Sequence, residues 1–489
     1  MRVTFVYPDL LEGAAWRGYY YSGIGILSAV LKQAGHEATL LHVTQPIDRA
    51  TFLARLEERL PRAGPRLVGF SITSNMVPFL REWSAWIKET WPEALVIAGG
   101  VHPTLVPEET IVLPHVDLVC VGEGEGAIVE LADALEAGRS PSGIRNLWWK
   151  RPDGSIERNP LRPLVDLDTL PFPDRTLYDY PNLHHERLGE ATMMVSRGCP
   201  YSCTYCCNEA LRRVYRGLGR PVRFRSVPLV IAELQQVLAD YPFIRRFVFD
   251  DDILPLRRDW FREFAVQYAR EVGRPFACNL RPNLADEEVV ALLKEAGCDE
   301  VRFGIESGND EVRNGLLRRQ LSREEIVRAF ELCHRAGIKV FSFNIVGFPG
   351  ETVEQMLDTV KLNAMVRADV TRVTIFYPYP RTPLHRLSQE MGLLTDRMVI
   401  DYATDTTLGF DKIQRNRVVF IRRYFPLLAR LYRLVRRLPR PFERALDAFL
   451  SARWTVVTFF YAANRLYDWV RGNPVLDRWA MAFRRKVFG

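Results

Sequence analysis

The chain has 489 residues, 47% of them hydrophobic and 26% charged, the make-up of a folded protein with room for two to four domains. This excludes a disordered chain, and 31 glycines with 31 prolines exclude collagen-like or low-complexity sequence. The net charge of +7 is uneven: residues 411–489 hold 18 Lys and Arg against 5 Asp and Glu, a net of +13, which leaves −6 on the rest.

Residues 1–140 alternate strand and helix signals. Short apolar runs at 3–7, 39–43, 67–71, 95–98 and 118–121 predict buried strands. Helical spacing at 23–35, 51–60, 77–90 and 127–137 fills the gaps, the first ending on a glycine stop signal. Such alternation predicts a Rossmann-like, doubly wound parallel sheet, whose ligands bind beyond the carboxyl ends of the strands. Those ends are rich in small residues: Ser71-Ile-Thr73-Ser74, Gly99-Gly100-Val-His102, and Gly122-Glu123-Gly124-Glu125. One such turn is ordinary in an α/β domain; three on one sheet edge point to a bound cofactor. Gly23-Ile-Gly25 is not a dinucleotide fingerprint, because Ser28 stands where the third glycine belongs.

Residues 141–188, punctuated by Pro and Asp, read as a linker. Residues 189–395 form a second αβ series. Six strands are predicted, at 193–196, 247–249, 277–280, 301–304, 339–346 and 373–377. They end respectively at the Cys cluster, Asp250-Asp251-Asp252, Arg281, Glu306-Ser307, Gly347-Phe-Pro-Gly350 and Pro378. Polar groups at the carboxyl ends of parallel strands are the pattern of a barrel or partial barrel. Amphipathic helices at 227–240, 287–296 and 323–336 lie between them. Residues 396–489 are a basic helical region. Arg alternates there with Leu, Tyr and Phe in 420–438, and apolar-aromatic runs, each opening on a Trp, follow at 454–467 and 479–488. Basic amphipathic helices on an anionic membrane surface would read this way; so would a helical subdomain with a solvated Arg face. No nucleic-acid recognition module is present. The N-terminal residues lack signal-peptide form, and the longest apolar run, 454–463, is short of the roughly 20 residues of a membrane span. The expected location is the cytoplasm, with the tail a candidate for peripheral attachment to the inner face of the membrane.

The strongest signal is Cys199-Pro-Tyr-Ser-Cys203-Thr-Tyr205-Cys206, a C-x3-C-x2-C loop just after a strand. Three thiolates in one loop hold three irons of a [4Fe–4S] cluster and leave the fourth open. A zinc site would want a fourth ligand; Cys207 is badly placed for that, and His184 and His185 are the conceivable ones. Cys120, Cys278, Cys298 and Cys333 fall on strand or helix patterns and read as packing residues.

This loop, with an aromatic before its last Cys, resembles the radical S-adenosylmethionine enzymes. Phe249-Asp-Asp-Asp-Ile-Leu254, Phe303-Gly-Ile-Glu-Ser-Gly308 and Ile345-Val-Gly-Phe-Pro-Gly-Glu-Thr352 fit them too. Gly99-Gly-Val-His-Pro-Thr104 and Val121-Gly-Glu-Gly-Glu125 are similar to the subfamily with an N-terminal cobalamin-binding domain. The resemblance covers about residues 1–390. It implies a [4Fe–4S] cluster on Cys199, Cys203 and Cys206, with S-adenosylmethionine chelating the open iron and yielding a 5′-deoxyadenosyl radical. It implies that Tyr205, Asp251, Asp252, Arg281, Glu306, Ser307, Gly347 and Gly350 surround S-adenosylmethionine. It implies that Ser71, Thr73 and Ser74 face the corrin of cobalamin, and that Gly99, Gly100, Gly122, Glu123 and Gly124 line its nucleotide tail. The Asp-x-His-x-x-Gly loop of other cobalamin folds is missing after the first strand, where Pro8-Asp-Leu-Leu-Glu-Gly13 stands, so the lower face of cobalt is expected to lack a His ligand. The implied activity is C-methylation of an unactivated carbon, with an electron donor such as flavodoxin or ferredoxin. The alternative is a radical oxidoreductase or cyclase on a tetrapyrrole- or lipid-like substrate, similar to the anaerobic magnesium-protoporphyrin ester cyclases. A non-catalytic cobalamin or redox sensor is the reading of another class.

Overall fold

The computed structural model describes residues 1–10, 17–397, 399, 401, 404–452, 462, 463, 465, 466, 469 and 473. Of the expected tail helices, 479–488 and most of 454–467 lie outside the described residues, as does 11–13 of the loop after the first strand.

The chain divides into two compact units. Unit 1 holds residues 1–302, 332–339 and 379–386. It opens with β1 (Arg2–Pro8), α1 (Ser22–Gln33), β2 (Glu37–Val43), α2 (Arg49–Glu57), β3 (Leu67–Ser71), α3 (Val77–Thr90) and β4 (Leu95–Gly99). The short helices α4 (Val101–Leu105) and α5 (Pro107–Ile111) follow, then β5 (Leu118–Cys120) and α6 (Glu125–Glu136). The sheet order β2-β1-β3-β4-β5 is parallel throughout, the doubly wound order with a switch point between β1 and β3. Both faces are covered, as parallel sheets require. Val3 and Phe5 of β1 pack with Ile24 and Leu31 of α1 and Leu131 of α6 on one side. Val6, Val68 and Phe70 pack with Phe52 of α2 and Trp83 of α3 on the other.

Residues read as a linker contain two further strands. β6 (Leu147–Lys150) and β7 (Ile156–Arg158) extend the first sheet antiparallel from β5. The segment that follows is pinned as well. Asp174 accepts from Ser28 Oγ and Lys32 Nζ of α1, both at 2.6 Å, and buried Arg175 pairs with Glu233 at 2.7 Å.

The second series begins with β8 (Glu190–Met193), the two-residue strands β9 (Ser196–Arg197) and β10 (Arg223–Phe224), and α7 (Cys207–Val214) between those two. It continues through α8 (Val227–Asp240), β11 (Arg246–Phe249), α9 (Arg258–Glu271), β12 (Phe276–Leu280), α10 (Glu287–Glu295) and β13 (Cys298–Glu306). The division between units runs through β13. Unit 2 carries most of α11 (Arg323–Arg335), then β14 (Lys339–Val346), α12 (Val353–Val366), β15 (Val370–Ile375), the end of α13 (Pro383–Glu390), α14 (Lys412–Val435) and α15 (Arg440–Ser451). Within unit 1, β11 pairs in parallel with both β8 and β12, and within unit 2, β14 pairs in parallel with β15; with β13 these are the six strands expected of a partial barrel. In unit 2, α12 starts on a capping box between Thr352 and Gln355. Its apolar side, with Met356, Leu357 and Val360, shares a core with Val418, Phe425 and Tyr432 of α14.

Candidate functional site

In unit 1 the strand that leads to the Cys loop is held from three directions. Gly198 sits at φ +86°, and a Cβ there would come within 2.2 Å of the Pro221 carbonyl oxygen, so only glycine lets the chain turn into the loop. Within the loop, Arg212 of α7 donates to Ser202 Oγ at 2.5 Å and to the Pro200 carbonyl. Cys206 N–H donates to the Cys203 carbonyl at 3.2 Å, with Tyr205 inside that turn. Buried Arg281 stacks over Tyr201, its guanidinium carbon 3.8 Å from the ring centre. All eight cysteines are free thiols, Cys203 buried, Cys199 and Cys206 half-buried. Burial pushes the Cys199 thiol up to about 12, so its thiolate needs a cation beside it.

Among the described residues no three His, Cys, Asp or Glu side chains converge as around one metal ion. His184 and His185 pack instead on the ring of Tyr19. Three thiols presented by one loop, Cys199, Cys203 and Cys206, are the donor set that a [4Fe–4S] cluster with one open iron takes.

Asp251, at the carboxyl end of β11, is fully buried. Its Oδ1 accepts the backbone N–H groups of Val195 (3.0 Å) and Ser196 (2.6 Å) and the Ser196 hydroxyl. Its Oδ2 is buried with no hydrogen-bond partner; it is an acceptor when the carboxyl is ionised and the atom that carries the proton when it is not. Burial pushes its carboxyl up to about 7, against those hydrogen bonds, which lower it. Between about pH 4 and 7 the native protein keeps a proton that the unfolded chain has lost, so this residue makes stability fall as pH rises through that window. Asp251→Asn removes the effect. Relative to wild type, the variant is expected to gain about 4 kcal/mol between pH 4 and pH 8, read from urea midpoints of the two proteins. Parallel stability curves would show that the carboxyl is not a buried acid. Asp252 is raised by burial too, and accepts from Asn208 at 2.9 Å.

A cavity of about 490 Å³ opens beside these groups. Met194, Ser196, Arg197, Gly198, the Cys207–Tyr215 side of α7 and Asp250 to Asp252 form one wall. The other wall is the strand-end edge of the first sheet, with Ser71, Gly99, Gly100, Gly122, Glu123 and Gly124. Six of the eight residues expected for cobalamin thus line one cavity at the carboxyl edge of the sheet, where a doubly wound fold places its ligand. Thr73 and Ser74 do not line it: the first donates to Asn75 Oδ1 (2.7 Å) and the second is bonded to His102 Nδ1 (3.0 Å). Burial pushes His102 down to about 4, so the ring is neutral, and it stands off the cavity wall. Thr104 joins two of the turns, donating to the Gly100 carbonyl (2.8 Å) and accepting from Gly122 N–H (3.0 Å).

Glu123 departs from the expected role. Arg197 and Arg223 stand directly opposite each other in the β9–β10 pair, where like charges repel. The Glu123 carboxylate takes both, at 2.9 and 2.5 Å, and accepts Val165 N–H at 3.0 Å. Arg197 also reaches Glu125 at 2.5 Å. The side chain joins the first module to the strand before the Cys loop; only its place on the wall is left for a ligand. Arg197 and Arg223 have no local signal in the sequence, since they lie 74 and 100 positions away.

In unit 2, Glu306 holds a left-handed φ of +64° and pairs with Arg319 at 3.4 Å, the kind of strain found at ligand sites. Ser307 is buried, its Oγ 3.5 Å from Thr359 Oγ1. Gly347, at φ +80°, has no room for a Cβ because Val418 of α14 would lie 2.7 Å from it, so packing of α14 by itself requires this glycine. Gly350 shares its positive φ. The turn is closed by Glu351, whose Oε2 accepts Gly347 N–H (2.7 Å) and Phe348 N–H (3.1 Å), and whose carboxyl burial pushes up to about 8.

The family model described as the radical SAM superfamily matches residues 193–362, and that of the B12 binding domain matches 19–132. An uncharacterized methyltransferase of Pyrococcus horikoshii is 30% identical over 68% of this chain and 71% of its own length. The cytidylyl-2-hydroxyethylphosphonate methyltransferase of Streptomyces wedmorensis is 27% identical over 69% and 72%. The fold is similar to that of the radical S-adenosylmethionine methyltransferase TsrM of Kitasatospora setae, solved with cobalamin and a [4Fe–4S] cluster. The TM-score is 0.64 at 21% identity, over 81% of this chain and 79% of that one. The chain belongs to the radical S-adenosylmethionine superfamily, among the members that carry a B12-binding domain ahead of the radical domain, and its cofactors are a [4Fe–4S] cluster, S-adenosylmethionine and cobalamin.

Proposed function

We propose that the protein is a cobalamin-dependent C-methyltransferase acting on an unactivated carbon of a hydrophobic small molecule. The observation that carries this reading is the shared cavity: the glycine-rich strand ends of the first sheet and the chain flanking the Cys loop wall one space. When bound, the cluster with S-adenosylmethionine supplies one-electron chemistry and a methyl group, and cobalamin supplies a carrier for that group. The chain's own part is to hold and to shield. Cys199, Cys203 and Cys206 would ligate the cluster. Asp251 Oδ2 offers an acceptor for an ammonium or hydroxyl group, and Asp252 a second carboxylate. Arg281 offers a cation for a carboxylate. Gly99, Gly100, Gly122 and Gly124 would bring bare backbone to the corrin and its tail. Leu27, Phe70, Ile97 and Leu211 on the wall keep water from the reacting carbon. The names of both methyltransferase relatives support methyl transfer.

The test is anaerobic incubation of the reconstituted protein with S-adenosylmethionine, cobalamin and a strong reductant. Both 5′-deoxyadenosine and S-adenosylhomocysteine are expected, the second only with cobalamin present. Deoxyadenosine alone would favour the oxidoreductase or cyclase reading; neither product, from protein shown to hold its cluster, would leave the sensor. We also propose a flavodoxin- or ferredoxin-type electron donor and a cytoplasmic location at the inner face of an anionic membrane. No helix among the described residues is long and apolar enough to cross a membrane.

A further inference from the structure

α14 has two apolar faces. One is used: Val418, Phe425, Leu428 and Tyr432 are buried in the core of unit 2. The other is open. Leu427, Leu431 and Leu434 on the helix, and Leu438 just past its end, follow at steps of four, three and four residues, the spacing of one stripe. They are 50, 37, 60 and 50% exposed. Phe442 and Phe449 on α15, two turns apart, are 55 and 39% exposed. Large apolar side chains left outside as a set mark an interaction surface.

The charge around this stripe has one sign. Residues 412–451 hold 11 Lys and Arg against two acids, Glu443 and Asp447. Asp447 is already bound by Lys361 (2.9 Å) and Tyr432 (2.6 Å), and Glu443 lies 3.9 Å from Arg436. Arg437, Arg440 and Arg444 are exposed. A second copy of this face would set arginines against arginines. An anionic bilayer supplies what the surface asks for, phosphates for the guanidiniums and an acyl boundary for the leucines. The arginines keep such a helix in the plane of the interface.

We propose that the α14–α15 face docks on an anionic lipid bilayer, leucine stripe inward and arginines at the headgroups. The proposal rests on and sharpens the membrane-face location proposed above, and is independent of the reaction proposed there. The test is flotation of the full chain with vesicles of phosphatidylcholine and phosphatidylglycerol, beside vesicles of phosphatidylcholine alone. Binding is expected only to the mixed vesicles, and weaker at high salt. The pair Arg437→Gln and Arg444→Gln is expected to lower it about 25-fold, about fivefold per arginine. The pair Leu431→Ser and Leu434→Ser is expected to lower it by about tenfold or more. Circular dichroism and iron content should match wild type in both, since all four side chains are exposed. Wild-type protein that stays at the bottom of the gradient overturns the proposal, whether light scattering shows a dimer or a monomer whose own end covers the stripe. So does equal flotation on uncharged vesicles, or flotation that neither pair weakens.

Discussion

Glu233→Ala is expected to destabilise the protein by about 3–5 kcal/mol. Glu233 lies on α8 between two buried guanidiniums. Its Oε1 accepts from Arg175 at 2.7 Å, and its Oε2 accepts from Arg225. The three side chains are 3, 7 and 8% exposed. Arg175 lies against the ring of Tyr20 and Arg225 against that of Phe172, so neither cation has water to turn to. Removing the one anion leaves two desolvated positive charges, far worse than losing a surface pair, where the cost is about 0–1 kcal/mol. The damage should spread toward the Cys loop, because Arg225 N–H donates to the carbonyl of Val195, just before β9, at 2.9 Å. Urea unfolding of the variant checks this; a loss below about 1 kcal/mol would mean that the triad is solvated in solution.

The largest effect on activity is expected from Cys203→Ala. Cys203 is the most buried cysteine of the loop, 7% exposed, and in the proposed ligand set each of the three loop thiols would hold a different corner of the cluster. Losing an outer partner of a metal ligand costs about 10–100-fold; losing the ligand itself should exceed that. Iron content and deoxyadenosine formation are expected to fall to those of a protein-free control. Cobalamin binding should persist, since the strand-end wall of the cavity is untouched. Retained deoxyadenosine formation would remove the cluster from its assigned ligands, and an unchanged cobalamin-linked response without turnover would favour a sensor.

The elements that position the site were legible wherever apolar runs were long enough to carry a period. β1 to β5, α1 and α8 fall within a few residues of their expected bounds, because a strand buried on both faces shows as a continuous apolar run. β6 and β7 were not legible. Trp148 and Trp149 are only half-buried on an antiparallel strand next to the sheet edge, and three or four residues between Pro and Gly show no alternation. The run read as one strand at 193–196 breaks after Met193, and two-residue strands such as β9 have no period to read. At the site, residues adjacent in the chain were found and residues joined across it were not. The Cys loop and the glycine turns announce themselves. The Arg197–Glu123–Arg223 clamp, the Asp251 contact with Val195 and Ser196, and the packing of Val418 on Gly347 depend on distant partners. The tail was expected to be either a packed helix or a surface-binding one. α14 shows a packed side and an open side.

The Glu123 clamp also bears on how this protein folds and how it can be altered. The N-terminal sheet and the beginning of the barrel look in sequence like two separable parts. In unit 1 a carboxylate from one part is the counter-ion that lets two arginines of the other face each other across a strand pair. Neither part has a complete charge balance when cut from its neighbour, and a graft that exchanged one without the other would inherit an unmatched acid or an unmatched arginine pair. The two parts are accordingly expected to melt in one calorimetric transition, which Glu123→Gln should split or broaden.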